Sequence, residues 1–204
     1  MNQLDFIHRY VPPQNGSRRV LLLLHGTGGD ESDLLPLGRE LDAEAGLLSP
    51  RGKVLENGAP RFFRRFAEGV FDEEDVVRRA NELADFIGAA ATEYDFAPEY
   101  MTALGYSNGA NIAAAIMLLR PGVIRQAVLF RAMVPLAEPP QADLTGTSVL
   151  ISAGRHDQII PLENVQRLTS LLQRAGATVE LEVQQASHGL VQNDLAAAKR
   201  FLSR

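Results

Sequence analysis

A serine, an aspartate and a histidine that lie far apart in the sequence could together form a nucleophilic site. Ser107 lies in a G-x-S-x-G pattern, Asp157 ends a G-R-H-D stretch, and His188 is the centre of an S-H-G stretch. A serine hydroxyl is a poor nucleophile until an adjacent base takes its proton. We predict that His188 is this base, because imidazoles exchange protons near neutral pH, and that Asp157 orients and stabilises it. The chemistry would be attack of Ser107 on an acyl carbonyl.

Strands must bring these residues together, and the sequence predicts one before each of them. Residues 99–104, 147–153 and 179–184 are short runs that are apolar or that alternate apolar and polar side chains. Residues 110–119 contain helix formers and no breaker, so Ser107 lies on a strand-to-helix turn that exposes its hydroxyl. The carboxyl ends of parallel strands meet at one edge of a sheet, where ligands bind. The chain order serine, acid, histidine is that of α/β hydrolases.

Each candidate also has a simpler interpretation. The G-x-S-x-G pattern can occur by chance, and Asp157 could only cap a helix that begins near residue 161. His188 could be a surface histidine. His156 competes as the base, but it is adjacent to the aspartate and follows a different strand from His188.

A glycine-rich loop could supply an oxyanion site. The predicted strand at residues 20–24 (VLLLL) runs directly into H-G-T-G-G-D. In α/β hydrolases one oxyanion N–H comes from the loop after an early strand, and the other comes from the residue after the nucleophile. We predict Thr27, with Gly28 as the alternative, and Asn108 as these donors. The loop lacks the last glycine of a dinucleotide fingerprint and the lysine of a P-loop. We expect His25 to hydrogen-bond the loop.

Several motifs together resemble the phospholipase/carboxylesterase family, which includes acyl-protein thioesterases and many small bacterial carboxylesterases. The resemblance covers nearly the whole chain. The motifs that carry it are His25-Gly26, the G-x-S-x-G pattern, the stretch 154–161 (G-x-x-D-x-x-[IV]-P) and Ser187-His188-Gly189. Within the family, Pro50-Arg51-Gly52 and residues 61–66 and 105–110 resemble a bacterial subgroup linked to hydroquinone resistance.

This resemblance implies a Ser-Asp-His hydrolase that acts on small-molecule carboxylic esters or thioesters through an acyl-enzyme, without metal or organic cofactor. Asn108 stands where the thioesterases usually have glutamine, which favours a carboxylesterase over an enzyme that acts on acylated proteins. A thioesterase or lysophospholipase for longer acyl chains is an alternative, since it would use the same residues. A non-catalytic ligand-binding protein of the same fold is another, although such proteins usually lose a catalytic residue.

The chain has 204 residues, 46% of them hydrophobic, which is enough for one domain with its own core. We predict a single α/β-hydrolase domain over residues 1–204, a minimal fold with a mainly parallel, twisted sheet and helices on both faces. Residues 132–146 are about the only room for a cap, and their three prolines favour a tight surface loop over a lid helix. We therefore expect no lid domain and a fairly open cleft. Asn15-Gly16 predicts the turn of a hairpin that leads into the strand at residue 20.

Arginine and phenylalanine are concentrated at residues 61–66 (RFFRRF). Apolar residues in loops usually pack inside, so the phenylalanines could fill the core while the arginines pair with the acidic residues 72–74. The other interpretation is that Phe63 and Met133 line the acyl or aryl pocket. An exposed phenylalanine-rich loop could also mediate a homodimer.

Composition and charge argue against several other classes. A net charge of −5 disfavours nucleic acid and anionic membranes as partners. No apolar run is long enough to span a bilayer, so we expect no membrane insertion. Residues 1–6 lack the basic and apolar regions of a signal peptide, which favours a cytoplasmic location. The four histidines show no metal-ligand spacing, and there is no cysteine, so we predict no metal. That no organic cofactor is needed is what the family resemblance implies.

Overall fold

Short strands alternate with helices along the chain, and the computed structural model describes residues 4–204. The predicted absence of a signal peptide concerns residues 1–6, of which the first three lie outside the described part. The strands are β1 (His8–Val11), β2 (Val20–Leu24), β3 (Gly46–Pro50), β4 (Val54–Glu56), β5 (Ala59–Arg61), β6 (Arg65–Ala67), β7 (Val70–Phe71), β8 (Met101–Tyr106), β9 (Gln126–Phe130), β10 (Ser148–Gly154) and β11 (Thr178–Gln184). The helices are α1 (Leu35–Leu41), α2 (Glu73–Glu93), α3 (Asn108–Leu119), α4 (Leu162–Arg174) and α5 (Gln192–Leu202). None of the helices in this described part is both long and apolar enough to cross a bilayer.

Seven strands form the central sheet in the order β1-β3-β2-β8-β9-β10-β11. β1 runs antiparallel to β3, and each of the other neighbouring pairs is parallel. After β2 the chain adds its next strand, β3, on one side, whereas after β8 it adds β9 on the other side. The carboxyl ends of β2 and β8 therefore flank a switch point, where open α/β sheets leave a crevice for a ligand.

Helices cover both faces of the sheet, which confirms the predicted α/β-hydrolase architecture. α2, α3 and α4 pack in the core cluster on one face, and α1 and α5 pack in the cluster on the other face. β2 shows the reason: Leu22 and Leu24 belong to the first cluster, and Leu21 and Leu23 to the second. Successive side chains of a strand point to opposite faces, so an entirely apolar strand is stable only between two helical layers.

The turn at Asn15-Gly16 forms, but the predicted hairpin does not. Both residues have a positive φ, of 53° and 74°. β1 pairs with β3, whereas β2 lies between β3 and β8. Because both edges of β2 already have parallel neighbours, β1 joins the sheet at the free edge of β3 instead. The prediction is wrong because a turn signal does not specify which strand edges are free.

Two segments without long elements lie near the carboxyl edge of the sheet. Residues 51–72 contain two small antiparallel hairpins, β4-β5 and β6-β7. Residues 131–147 have neither helix nor strand, but Met133, Val134 and Leu136 are buried. Residues 131–136 therefore pack into the core, whereas residues 137–143 lie at or near the surface without a helix, so the predicted surface loop forms over only part of the segment.

Candidate active site

Ser107 lies on a strained turn between β8 and α3. Its φ is 52°, in the left-handed region that residues other than glycine rarely adopt, and such strain costs roughly 1–3 kcal/mol. The flanking glycines are needed because backbone atoms lie where their Cβ atoms would be. A Cβ on Gly105 would lie 2.6 Å from the Cα of Ala110, and one on Gly109 would overlap the carbonyl oxygen of Leu24.

The helix after this turn lies close on the sheet, as predicted. Every residue from 108 to 118 in α3 is buried. Four of its buried side chains are small: Ala110, Ala113, Ala114 and Ala115 are fully buried. Small side chains let the helix axis approach the strands, which brings the start of α3 and Ser107 to the switch point of the sheet.

The three residues predicted for catalysis lie together at the carboxyl edge of the sheet, and we call them the Ser107–Asp157–His188 trio. His188 Nε2 lies 3.1 Å from Ser107 Oγ, and His188 Nδ1 lies 2.8 Å from Asp157 Oδ2. With a carboxylate at Nδ1, the imidazole carries its proton there and can accept the serine proton at Nε2. The Asp157 side chain is 2% exposed and that of His188 is 22% exposed. The carboxylate is thus shielded from water, while the imidazole can meet a substrate.

Asp157 also has partners in the turn just before α4, where the helix-cap alternative places them. Its Oδ1 accepts hydrogen bonds from the backbone N–H groups of Ile159 at 2.9 Å and Ile160 at 3.0 Å. One oxygen therefore closes the turn before α4 while the other contacts His188. His156, the competing base, instead contacts Gln185 at 3.1 Å on the exposed surface. Within residues 4–204, no group of three or more His, Asp or Glu side chains is placed to hold a metal ion.

The structure distinguishes between the candidate oxyanion donors. The N–H of Gly28 donates to Pro60 O at 2.9 Å, so it is already engaged. Among residues 4–204, the N–H of Thr27 has no backbone acceptor. Asn108 is the first residue of α3, so its N–H has no acceptor within the helix. Thr27 and Asn108 therefore have free N–H groups on the two loops that flank the switch point.

His25 fastens the glycine-rich loop, as expected. Its side chain is buried, Nδ1 donates to Gly26 O at 2.6 Å, and Nε2 accepts from the N–H of Gly52 at 3.0 Å. Burial lowers the pKa of His25, which favours the neutral ring that has one donor and one acceptor. This confirms a structural role for the residue.

A cavity of about 30 Å³ opens beside Ser107. Met133 lies in its wall, as predicted, but Phe63 does not. The ring of Phe63 is fully buried against Phe71, with 5.0 Å between ring centroids, and it is Phe71 that reaches the cavity. The cavity is narrower than the open cleft that the sequence predicts, because the β6-β7 hairpin forms one of its walls. The side chains of Arg61, Arg65, Glu68 and Asn111 also line the cavity.

The arginine- and phenylalanine-rich run at residues 61–66 follows neither interpretation fully. Its first two phenylalanines are buried, whereas Phe66 is 76% exposed. Arg64 pairs with Asp72 at 2.7 Å, as predicted. The other two arginines pair with Glu56 and not with the acidic residues 72–74. The β4-β5 hairpin explains the difference, since it pairs Arg61 with Val54 and so places Glu56 diagonally across from Arg61 on the same face of the hairpin.

Comparison with known sequences identifies the family. A profile of the family described as Phospholipase/Carboxylesterase matches residues 60–204. A Bacillus subtilis (strain 168) protein that carries the name hydrolase MhqD is 44% identical over 193 residues, which cover 95% of this chain and 96% of that protein. The chain belongs to the phospholipase/carboxylesterase family. The resemblance carried by the sequence motifs is thereby confirmed.

Solved structures support the same assignment. The Bacillus cereus carboxylesterase is 45% identical with a TM-score of 0.94, and the match covers 98% of this chain and 94% of that one. The carboxylesterase from Mesorhizobium loti is 35% identical with a TM-score of 0.93, covering 97% of this chain and 94% of that one. This family member is a hydrolase of the carboxylesterase type.

A buried arginine and a tyrosine hold the loop that carries His188 in this hydrolase. Arg131 follows β9 directly and has a φ of 54°. Its Nε donates to Ser187 O at 3.1 Å and its Nη2 donates to Gly189 O at 2.7 Å. The carbonyl between these two, that of His188, accepts from the hydroxyl of Tyr106 at 3.1 Å. Three consecutive carbonyls of the loop are thus fixed by side chains from two neighbouring strand ends.

Arg131 is in turn held by Asp194 at the start of α5, and both side chains are fully buried. Nη1 and Nη2 each lie 2.8 Å from one carboxylate oxygen. Ser152 Oγ and the N–H of Val191 also donate to this carboxylate, at 2.6 and 2.7 Å. Burial alone would raise the pKa of Asp194, but the hydrogen bonds from Arg131, Ser152 and Val191 outweigh it and hold the pKa below its ordinary value. The ion pair therefore links α5 to the histidine loop.

Sequence reasoning missed this anchor, although one signal was present. Arg131 interrupts an apolar stretch that begins in β9, and a charge at such a position requires a buried partner. Its partner Asp194 is 63 residues away in the sequence. Nothing in the local pattern around either residue specifies the other.

Proposed function

We propose that this carboxylesterase-family member hydrolyses small carboxylic esters, with Ser107 as nucleophile, His188 as general base and Asp157 as the residue that orients it. The observation that supports the proposal is the continuous chain of contacts, 3.1 and 2.8 Å long, from Ser107 Oγ through the imidazole to Asp157. Both distances lie within the reach that proton transfer requires.

In the acylation step, Ser107 Oγ attacks the ester carbonyl carbon while His188 Nε2 takes the hydroxyl proton. The carbonyl π electrons move to the oxygen, and the N–H groups of Thr27 and Asn108 donate to the resulting oxyanion. Removal of one such donor typically lowers kcat by about 10²–10³-fold. The intermediate then collapses, His188 returns the proton to the leaving oxygen, and an alcohol departs from the acyl-enzyme.

In the deacylation step, water takes the place of the alcohol. His188 removes a proton from the water as its oxygen attacks the acyl carbon, and a second tetrahedral intermediate forms. Its collapse breaks the bond to Ser107 Oγ, which regains its proton from His188, and the carboxylic acid is released. Asp157 stabilises the imidazolium in both steps.

The size of the cavity and the strained backbone of Ser107 favour this function over the two alternatives. A volume of about 30 Å³ is too small to enclose the long acyl chain of a lysophospholipase, which favours esters with a short acyl group. A ligand-binding protein without catalysis has no use for a serine held at a φ of 52°, since strain of this kind is usually maintained for chemistry.

A homodimer stays a prediction, now confined to a smaller surface. Phe66 is 76% exposed and Val70 is 53% exposed on the β6-β7 hairpin, so these side chains are the apolar group that a second copy would cover. Light scattering on the wild type and on Phe66→Ser tests it. A dimer that becomes a monomer in the variant supports the interface, and a monomeric wild type contradicts it.

Hydrolysis of 4-nitrophenyl esters from acetate to palmitate, by the wild type and by Ser107→Ala, tests the proposed function. We expect the shortest esters to be preferred, and kcat to fall on the order of 10⁶-fold in the variant. A burst of nitrophenolate that matches the enzyme concentration would report the acyl-enzyme. Ser203→Ala, which removes an exposed serine after α5, is the control and should keep full activity. Turnover that persists in folded Ser107→Ala would contradict the nucleophile, and a folded wild type inactive on every ester would contradict the reaction.

A further inference from the structure

Two arginines form part of the cavity wall beside Ser107, and the ester chemistry itself does not require both of them. Arg61 ends β5 and Arg65 begins β6. The side chain of Arg61 is only 3% exposed, and that of Arg65 is 28% exposed. A guanidinium at such depth loses most of its hydration, so it is stable only with anionic or acceptor partners around it.

Among residues 4–204, one carboxylate lies close to these two charges. Glu56 lies 3.4 Å from Arg61 Nη1 and 2.9 Å from Arg65 Nε. Burial and the charge of Arg65 lower the pKa of Arg61, against the opposing effect of Glu56. Glu68 also lines the cavity, but it lies exposed on the β6-β7 turn, where its carboxylate can remain in water. The inner wall therefore carries an excess of positive charge.

The guanidinium of Arg61 is held rigidly in this wall. Its Nε donates to Phe63 O at 3.2 Å, and its Nη1 donates to Thr27 Oγ1 at 2.7 Å. These two bonds fix the plane of the group beside the loop that holds a candidate oxyanion donor. A fixed guanidinium loses little freedom when it binds a ligand, and among residues 4–204 its Nη2 has no acceptor and can donate to one.

The neighbouring amides are also set to donate. Asn111 Oδ1 accepts from the N–H of Met133 at 2.9 Å, and Asn108 Oδ1 accepts from the N–H of Phe62 at 2.7 Å. Each oxygen is thus engaged with the backbone, which leaves the NH₂ group as the free end of the amide. The Nδ2 of Asn108 is buried and has no partner within residues 4–204. This side of the cavity offers donors and few acceptors.

We propose that the site selects esters that carry a carboxylate or another anionic oxygen group in addition to the ester bond, and that Arg61 and Arg65 bind this group. The proposal rests on the proposed function, because it names the substrate class of the same site. A purely alkyl substrate would cover these donors without pairing them, which is costly. An anionic oxygen group pairs them.

Matched substrates test the selectivity. 3-Acetoxybenzoate and 3-acetoxybenzamide have the same ester bond and nearly the same shape, but only the first is charged. Mono-4-nitrophenyl adipate and the 4-nitrophenyl ester of adipic acid monoamide make the same comparison on the acyl side. In at least one pair we expect the wild type to have a kcat/KM at least about tenfold higher for the carboxylate than for the amide, the size of effect typical of a charge-assisted hydrogen bond.

Variants assign the selectivity to residues. Arg65→Gln, at the more exposed of the two arginines, should bring the carboxylate-to-amide ratio close to one, and Glu68→Gln should raise it. Arg61→Gln should lower activity on both substrates, because it also releases Thr27, but should lower it more on the carboxylate. Arg64→Gln is the matched control: its side chain is 59% exposed and pairs with Asp72, so the ratio should be unchanged.

The outcomes separate this proposal from the proposed function. Equal kcat/KM values within both pairs would overturn the selectivity while leaving an active esterase. Equal losses on charged and neutral substrates in Arg61→Gln and Arg65→Gln would show that the arginines only hold the loop of Thr27, which also overturns it. If the wild type hydrolyses neither pair and no 4-nitrophenyl acetate, the proposed function itself fails.

Discussion

The Arg131–Asp194 pair offers a sharp test of how the histidine loop is held. The change Arg131→Met keeps most of the side-chain length but removes the charge and every donor. Asp194 would remain as a buried carboxylate with only the hydroxyl of Ser152 and the N–H of Val191 as partners. The carbonyls on either side of His188 would lose the donor that fixes them.

The expected loss in the free energy of unfolding follows from the burial of both side chains. Removal of one partner from a buried ion pair costs about 3–5 kcal/mol, and each carbonyl left without a donor adds about 1 kcal/mol unless water reaches it. Some water will enter as the exposed loop relaxes, so we expect the free energy of unfolding to fall by about 4 kcal/mol at neutral pH. That is a large part of the roughly 5–15 kcal/mol by which a domain is stable.

Urea unfolding followed by circular dichroism measures this loss in the wild type, in Arg131→Met and in the double variant Arg131→Met/Asp194→Leu. The double variant buries no charge, so it should be more stable than the single variant by about 2 kcal/mol. Arg131→Lys restores the charge but not the planar fork, so it should recover part of the stability. Its kcat on 4-nitrophenyl acetate should be lower than that of the wild type, because the loop of His188 is held by fewer donors. A loss below about 1 kcal/mol in Arg131→Met, or a double variant no more stable than the single one, would refute the reasoning.

Three further predictions concern the serine turn, the histidine loop and pH. Gly109→Ala should destabilise the protein by about 3 kcal/mol, because its Cβ would overlap a backbone carbonyl of β2, whereas Gly88→Ala, in an open part of α2, should stabilise it by up to about 1 kcal/mol; urea unfolding of both checks the opposite signs. Tyr106→Phe removes one hydrogen bond to the carbonyl of His188, worth about 1 kcal/mol, so kcat on 4-nitrophenyl acetate should fall about fivefold with KM unchanged. The folded-state pKa of Asp194 is lowered, so its contribution to stability is complete above the unfolded pKa of about 4 and is lost as the pH falls through the lower folded value. The difference in stability between the wild type and Asp194→Asn should therefore be constant from pH 7 to about pH 5 and should shrink as the pH falls below about 4, and a difference that stays constant below pH 4 would contradict the assignment.

The sequence predicts the layered architecture because the local pattern of apolar residues shows which faces of a strand or helix must be buried. The VLLLL run of β2 requires cover on both faces, and the alanines of α3 require close contact with the sheet. The chain order of the trio, with each residue just after an apolar strand, also predicts their convergence, since parallel strands share one carboxyl edge. The two glycines around Ser107 specify a turn that only their lack of a side chain permits.

The same local patterns fail where the outcome depends on competition between distant groups. Asn15-Gly16 specifies a turn, but the sheet decides that β1 pairs with β3. Phe63 and Phe71 are both apolar and close in sequence, and the hairpin geometry decides which of them is buried and which reaches the cavity.

The sequence by itself therefore determined the fold class, the turn that exposes Ser107 and the three residues of the trio, because each strand, turn and motif depends on residue types within a few positions along the chain. Only the tertiary structure decided that Arg131 meets Asp194 behind the histidine loop and that two arginines share Glu56 beside the cavity. Buried charges pair with the groups that lie near them once the strands and helices have packed, and the spacing of residues in the sequence does not predict which groups those are.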